Sequence, residues 1–190
     1  MKAGSPGVSA LDQEVRTQLV ALLDGGQAHA TFEAALADLP EAKRGVVPEG
    51  LPYSAWQILE HIRITQRDIL DFSAPPTGGY HALKWPEEYW PGEAAAGPHA
   101  WDRSVAAVLA DRDAFKRLIL RPEADLAKPF RWGTGQNLLR EALLIADHTA
   151  YHVGEIVVLR RLLDCWHARA ETALAPRREP DERTGDVPHQ

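Results

Sequence analysis

Cysteine is nearly missing from this chain: Cys165 stands alone among 190 residues. A single cysteine cannot close a disulfide within the chain, and it excludes zinc sites built from four cysteines or from two cysteines and two histidines. A reduced, cytoplasmic compartment is the simplest expectation. Positive charge is also scarce, with 21 Lys and Arg against 27 Asp and Glu and a net charge of −6. A protein that neutralises nucleic-acid phosphates carries a basic stripe, and no such stripe is found, so nucleic acid is not an expected partner. The first nine residues hold one lysine and no apolar run, so no secretory leader is expected there. The most apolar stretch, Ala142 to Leu159, is interrupted by Asp147, His148, His152 and Glu155. Charges at bilayer depth are too costly for that stretch to be expected to span a membrane. Strand-like alternation and internal repeats are missing as well.

What the sequence has is helical periodicity. Leu11 to Asp24 reads as a first helix, with Val15, Leu19, Leu22 and Leu23 at helical spacing. The paired glycines Gly25 and Gly26 break or kink it. Helix is expected to resume near Ala28 and run to about Leu39, with His29, Phe32, Leu36 and Leu39 on one face; Pro40 to Pro52 then reads as a connector. Ser54 and Gln57 form a capping box for a second helix reaching Phe72. Its inward stripe is Ile58, His61, Ile62, Thr65, Ile69 and Phe72, so a histidine sits inside an apolar row.

Ser73 to Pro98 is a long connection with five prolines and the aromatics Tyr80, Trp85, Tyr89 and Trp90. Loops of this length are often lids or binding loops, and Trp85, Tyr89 and Trp90 are candidates to contact a cofactor or substrate. The alternative is that these rings only plug the side of the domain. A third helix spans Ala100 to Leu120, with Trp101, Val105, Val108, Phe115 and Ile119 as its stripe. A fourth spans Gln136 to Leu163. The expected fold is all-α: a four-helix bundle over residues 11–166, with a long aromatic and proline-rich crossover loop between its second and third helices. Residues 1–10 are expected to form a flexible N-terminus and residues 167–190, rich in Arg, Glu and Pro, a disordered tail.

His148 and His152 stand four apart on the fourth helix, which places both imidazoles on one face a turn apart, as in helical zinc sites. With 8 histidines in the chain, chance alone supplies about 0.3 such pairs, so the spacing by itself decides little. Their row, Leu138, Ile145, His148, His152 and Leu159, points inward. Two buried imidazoles without a shared partner would carry a desolvation cost. Either the pair binds an ion, or each ring is a core histidine bonded to a neighbouring helix; spacing and face leave both open. His61 is a third candidate ligand. Three nitrogens from two helices would leave open coordination positions, as catalytic sites do and structural zinc sites do not.

At these residues the chain resembles a family. The segments Leu51-Pro-Tyr-Ser-Ala-Trp-Gln-Ile-Leu-Glu-His61 and Ala146-Asp-His148-Thr-Ala-Tyr-His152-Val-Gly-Glu155 are similar to those of the DinB-like superfamily of metal-binding four-helix bundles. The resemblance covers roughly Leu11 to Trp166, including Arg140-Glu141-Ala142-Leu143-Leu144 and Leu159-Arg-Arg-Leu-Leu163. It implies His61, His148 and His152 as a metal triad, a divalent ion such as zinc, nickel or iron, and often a homodimer. It also implies a metal-dependent enzyme, either a transferase using a low-molecular-weight thiol such as bacillithiol or mycothiol, or a hydrolase. A stress-associated metal- or ligand-binding bundle without turnover is the alternative, and a helical interaction protein with no ion is a third reading. In the transferase reading the ion holds the thiolate and the loop from Tyr80 to Trp90 covers the electrophile. The hydrolase reading needs a general base, for which Glu155 and His29 are the candidates. Asp147 projects about 100° away from His148, which weakens a protease-like mechanism.

Glu155 stands where the resemblance leads one to expect glutamine. It can hydrogen-bond an imidazole N–H of the site or pair with Arg160 and Arg161, and the ion pair is the favoured expectation. His29 is expected to be a satisfied core histidine rather than an acid or base beside the ligand. Glu141 is expected to be a solvated or capping carboxylate, and Cys165 a small buried apolar group.

Overall fold

The computed structural model describes residues 9–92 and 99–166; the expected flexible N-terminus (apart from its last two residues) and the expected C-terminal tail lie outside the described residues. Six helices and no strand occur among the described residues: α1 (Ala10–Asp24), α2 (Phe32–Leu36), α3 (Glu41–Arg44), α4 (Ala55–Ser73), α5 (Ala100–Ile119) and α6 (Leu138–Leu162). The chain is all-α. The four long helices begin and end close to where periodicity and capping residues place them. Ser54 and Gln57 form both bonds of the capping box at the start of α4, and the Asn137 side chain accepts from the Arg140 N–H at the start of α6.

The expected helix from Ala28 to Leu39 is corrected. Gly25 and Gly26 both take positive φ, 73° and 78°, a region that glycine enters without a Cβ penalty. The chain leaves α1 in that conformation and bends until Thr31 caps a fresh start, so only Phe32–Leu36 is helical. Phe32, Leu36 and Leu39 are buried as their spacing requires, whereas His29 precedes the helix and is exposed. The connector from Pro40 to Pro52 also differs from expectation, because it contains the single turn α3.

α4 packs against α5 and α6, α1 packs against α5 and α6, and α2 lies against α6. Two apolar clusters form the interior. One gathers Phe32, Trp56, Leu59, Ile62, Trp101, Val153, Ile156 and Leu159. The other gathers Leu19, Leu23, Ile69, Phe115, Ile119, Leu138, Ala142 and Ile145. Along α6 the first cluster begins at Val153 and the second ends at Ile145. His148 and His152 fall in the gap between them. By length and composition α6 is apolar enough to cross a membrane. Its buried residues, Ile145, His152, Val153, Ile156 and Leu159 among them, pack into the interior formed with α1, α2 and α4.

Buried cations close helix ends. Arg160 donates to the carbonyls of Ala35 and Ala37 at the end of α2 and to that of Cys165, fastening α2 to the last turn of α6. Arg16 on α1 does the same for the carbonyl of Ile119, the last residue of α5, and for those of Arg121 and Ala124 beyond it. These bonds satisfy carbonyls that a helix C-terminus leaves without partners.

Candidate metal centre

α4 presents His61 and α6 presents His148 and His152, and the three rings meet. His148 Nε2 lies 3.0 Å from His61 Nε2 and 3.2 Å from His152 Nε2. The three rings form a group whose ligand atoms all lie within 4.8 Å of one another. Helix geometry produces this: residues four apart on α6 stack on one face, and the α4–α6 contact brings His61 opposite them.

The protonation of two rings follows from their other nitrogens. His61 Nδ1 sits 2.8 Å from the Tyr89 backbone carbonyl, which can only accept, so Nδ1 carries the proton and donates. His152 Nδ1 sits 2.6 Å from the Glu155 carboxylate and donates to it. Both rings therefore present bare Nε2 lone pairs towards His148. Burial pushes the His148 pKa down to about 3, with further lowering from His152 and His61, and pushes His152 down to about 4. His61 is lowered as well, again chiefly by burial. At neutral pH all three rings are uncharged. A single proton on His148 Nε2 satisfies one neighbouring lone pair at best, and the other is left facing it unpaired. A cation at the centre removes that conflict.

The donor set fits such an ion. With metal–nitrogen bonds of about 2.1 Å, nitrogens 3.0 and 3.2 Å apart would subtend angles of about 90° to 100° at a shared ion, and three protein nitrogens would leave coordination positions open. Each of the two rings with a defined tautomer has its outward N–H held by an acceptor, the usual support for a metal-binding imidazole.

The loop after α4 closes over one side. Trp90 stacks on His61 with ring centroids 3.9 Å apart and planes within 2°. Its other face stacks on Tyr53, at 3.8 Å and 14°. Trp85 approaches His61 edge-on at 6.4 Å and is 67% exposed. The Tyr89 hydroxyl donates to Asp68 Oδ2 at 2.7 Å and the Tyr80 hydroxyl to Asp68 Oδ1 at 2.9 Å. Burial, followed by the Asp68 carboxylate, pushes the Tyr80 pKa up to about 12 and Tyr89 higher still, so both phenols remain donors. One turn after His61 on α4, Thr65 buries its hydroxyl without a hydrogen-bond partner among the described residues.

The sequence profile of the DinB superfamily matches residues 26–156, more than half of the chain, and the span contains all three histidines. The chain belongs to the DinB superfamily. No curated protein and no solved structure matches it.

Within this DinB-superfamily chain the remaining sequence candidates are distributed unevenly. Glu155 bonds His152 and also the exposed Tyr151 hydroxyl. The expected pairing with Arg160 is corrected, because that guanidinium is committed to backbone carbonyls. His29 is not among the converging groups. It lines a groove with Ala150, Val153, Gly154 and Val157, on the side of α6 away from His148 and His152, and its Nδ1 lies 2.8 Å from the Ala30 carbonyl. Of the two expectations for Glu141, the solvated one is corrected: it stands in the first turn of α6 but is only 2% exposed, pairs with Arg140 at 2.5 Å, and burial raises its pKa. Cys165 is buried.

Three contributors escape the sequence reading: Asp68, Tyr53 and the backbone carbonyl of Tyr89. Asp68 had a usable signal, since it lies seven residues after His61 and so on the same face of α4. Tyr53 precedes the capping box and belongs to no periodic element. A carbonyl has no sequence signature at all.

Proposed function

We propose that this protein binds one divalent metal ion through Nε2 of His61, His148 and His152, and that it is an enzyme transferring a group to a low-molecular-weight thiol. The observation that carries the metal reading is the convergence of three uncharged imidazoles, two of them with Nδ1–H already committed to Tyr89 and Glu155. A bound ion would lower the pKa of a thiol or water and polarise a carbonyl. We read α1, α4, α5 and α6 as the superfamily's four-helix bundle and the chain between α4 and α5 as its crossover loop. The residues do the positioning: Glu155 and the Tyr89 carbonyl aim two rings, and Trp90 covers the flank of His61. Trp85, exposed beside them, offers a flat apolar surface to an electrophile.

The transferase reading is preferred to the hydrolase reading because hydrolysis needs a free general base. Glu155 is engaged by His152 and Tyr151, and His29 faces elsewhere. The lone free cysteine is compatible with a cytoplasmic setting. Exposed Leu143, Tyr151, Val158 and Leu162 along α6 supply an apolar row for a homodimer.

The test is metal analysis of untagged protein purified without chelators, followed by a screen of small thiols against electrophiles. About one equivalent of metal and a conjugation rate lost in His61→Ala are expected. Equal rates in wild type and His61→Ala would defeat the catalytic reading. Stoichiometric metal without any turnover would instead favour a non-enzymatic metal-binding bundle.

A further inference from the structure

We infer that Asp68 is a positioning residue for His61, acting through Tyr89. The inference rests on the metal-centre reading for its purpose, and on the contacts alone for its geometry. Tyr89 is held at both ends. Its hydroxyl donates to Asp68 Oδ2 at 2.7 Å, and its backbone carbonyl accepts from His61 Nδ1–H at 2.8 Å. Asp68 and His61 lie on one face of α4 two turns apart, about 10 Å along the axis. Tyr89 therefore lies across two turns of the helix that carries the ligand, anchored on a carboxylate at one end and on the imidazole at the other.

His61 has no acceptor of its own on α4 comparable to Glu155 for His152. Its Nδ1–H partner comes from a loop residue 28 positions later in the chain. A loop carbonyl defines a tautomer only while the loop stays docked, and the hydroxyl–carboxylate bond is the polar contact that docks this residue. Asp68 accepts a second phenol, Tyr80, whose ring packs edge-on against Phe72 at 5.1 Å and touches none of the three histidines. Both bonds to Asp68 anchor the loop, but only the Tyr89 bond lies on the residue that bonds His61. Tyr89 is thereby reassigned: its phenol, a candidate ligand contact from sequence, is spent on Asp68, and its main chain serves the site.

The test compares three conservative variants of the full chain: Tyr89→Phe, Asp68→Asn and, as the control for loop anchoring in general, Tyr80→Phe. Two readouts are taken: zinc affinity by competition with a chromophoric chelator, and the His61 tautomer in metal-free protein from ¹⁵N imidazole shifts. Tyr89→Phe and Asp68→Asn are expected to weaken zinc binding roughly tenfold. Both should replace a single Nδ1–H form of His61 by a mixture of tautomers, and the double variant should be no weaker than Asp68→Asn alone. Tyr80→Phe should resemble wild type in both readouts. If wild type takes up no zinc, the metal reading fails, and the tautomer arm still decides the inference. An unchanged His61 tautomer in Tyr89→Phe overturns it, and so does a Tyr80→Phe variant as impaired as Tyr89→Phe.

Discussion

Two imidazoles of the same centre are aimed by different means. His152 is held from within its own helix: Glu155 lies three residues on, and its carboxylate reaches Nδ1 at 2.6 Å. His61 is held from outside, by a carbonyl on the loop after α4, with Trp90 stacked on its face. The local arrangement forms whenever α6 forms, because residues three apart on a helix are already neighbours. The distant one requires the loop to dock, at a cost in loop ordering that the α6 side does not bear. One side of the site is thus as rigid as a helix, and the other is only as rigid as a strap.

The largest perturbation ignores that asymmetry and removes the ring between the two sides. His148→Ala should abolish stoichiometric metal uptake, measured by metal analysis after dialysis, since His148 Nε2 is the atom that both other rings approach. Next comes the local side alone. Glu155→Ala should weaken zinc binding by about 10- to 100-fold, in the range of lost imidazole supports. Glu155→Gln, which keeps an acceptor oxygen, should lose less, and the same chelator competition ranks the two. A Glu155→Ala variant that binds zinc as wild type does would mean that α6 orients His152 without help.

Acid should act on the two rings of α6. His148 and His152 are lowered to about 3 and 4 in the folded chain, against about 6.5 unfolded. The unfolded chain therefore binds more protons throughout that interval. The stability of the metal-free protein is full above about pH 6.5 and declines as pH falls towards 4. Urea midpoints of chelator-treated protein at neutral and mildly acidic pH check this, and a midpoint indifferent to pH would contradict it. The smallest effect isolates the strap. Trp90→Ala removes the stack between Tyr53 and His61, worth about 1 kcal/mol beyond simple burial. It should lower the urea midpoint modestly and leave His152 Nδ1 protonated and bonded to Glu155, although Trp90 also meets the His152 ring edge-on at 6.2 Å.

The same contrast explains what could be read from the residues. The capping box at Ser54, the α4 stripe and the inward row on α6 are local patterns: the box is formed, Ile58, His61, Ile62 and Ile69 are buried with Thr65 and Phe72 half-buried, and Leu138, Ile145, His152 and Leu159 are buried with His148 half-buried. Local rules failed where two of them competed. The apolar spacing of Phe32, Leu36 and Leu39 suggested one long helix, but positive φ at Gly25 and Gly26 and the cap at Thr31 left five helical residues and moved His29 off the face. At Glu155 the local partners available were His152 before it and Arg160 and Arg161 after it. The choice fell to the histidine because Arg160 is drawn inward to the carbonyls of Ala35 and Ala37, which no sequence neighbour reveals. The Asp68–Tyr89–His61 connection was out of reach for the same reason: it joins positions 28 apart through a backbone atom.

The central claim is that three Nε2 atoms share one ion, and zinc titration of untagged, metal-free protein followed by ¹⁵N NMR of its histidines tests it directly. The expected result is saturation at about one equivalent, with His61, His148 and His152 alone among the 8 histidines shifting at Nε2 while His61 and His152 keep their Nδ1–H signals. Absence of saturation, or shifts confined to histidines outside this group such as His29, would contradict it.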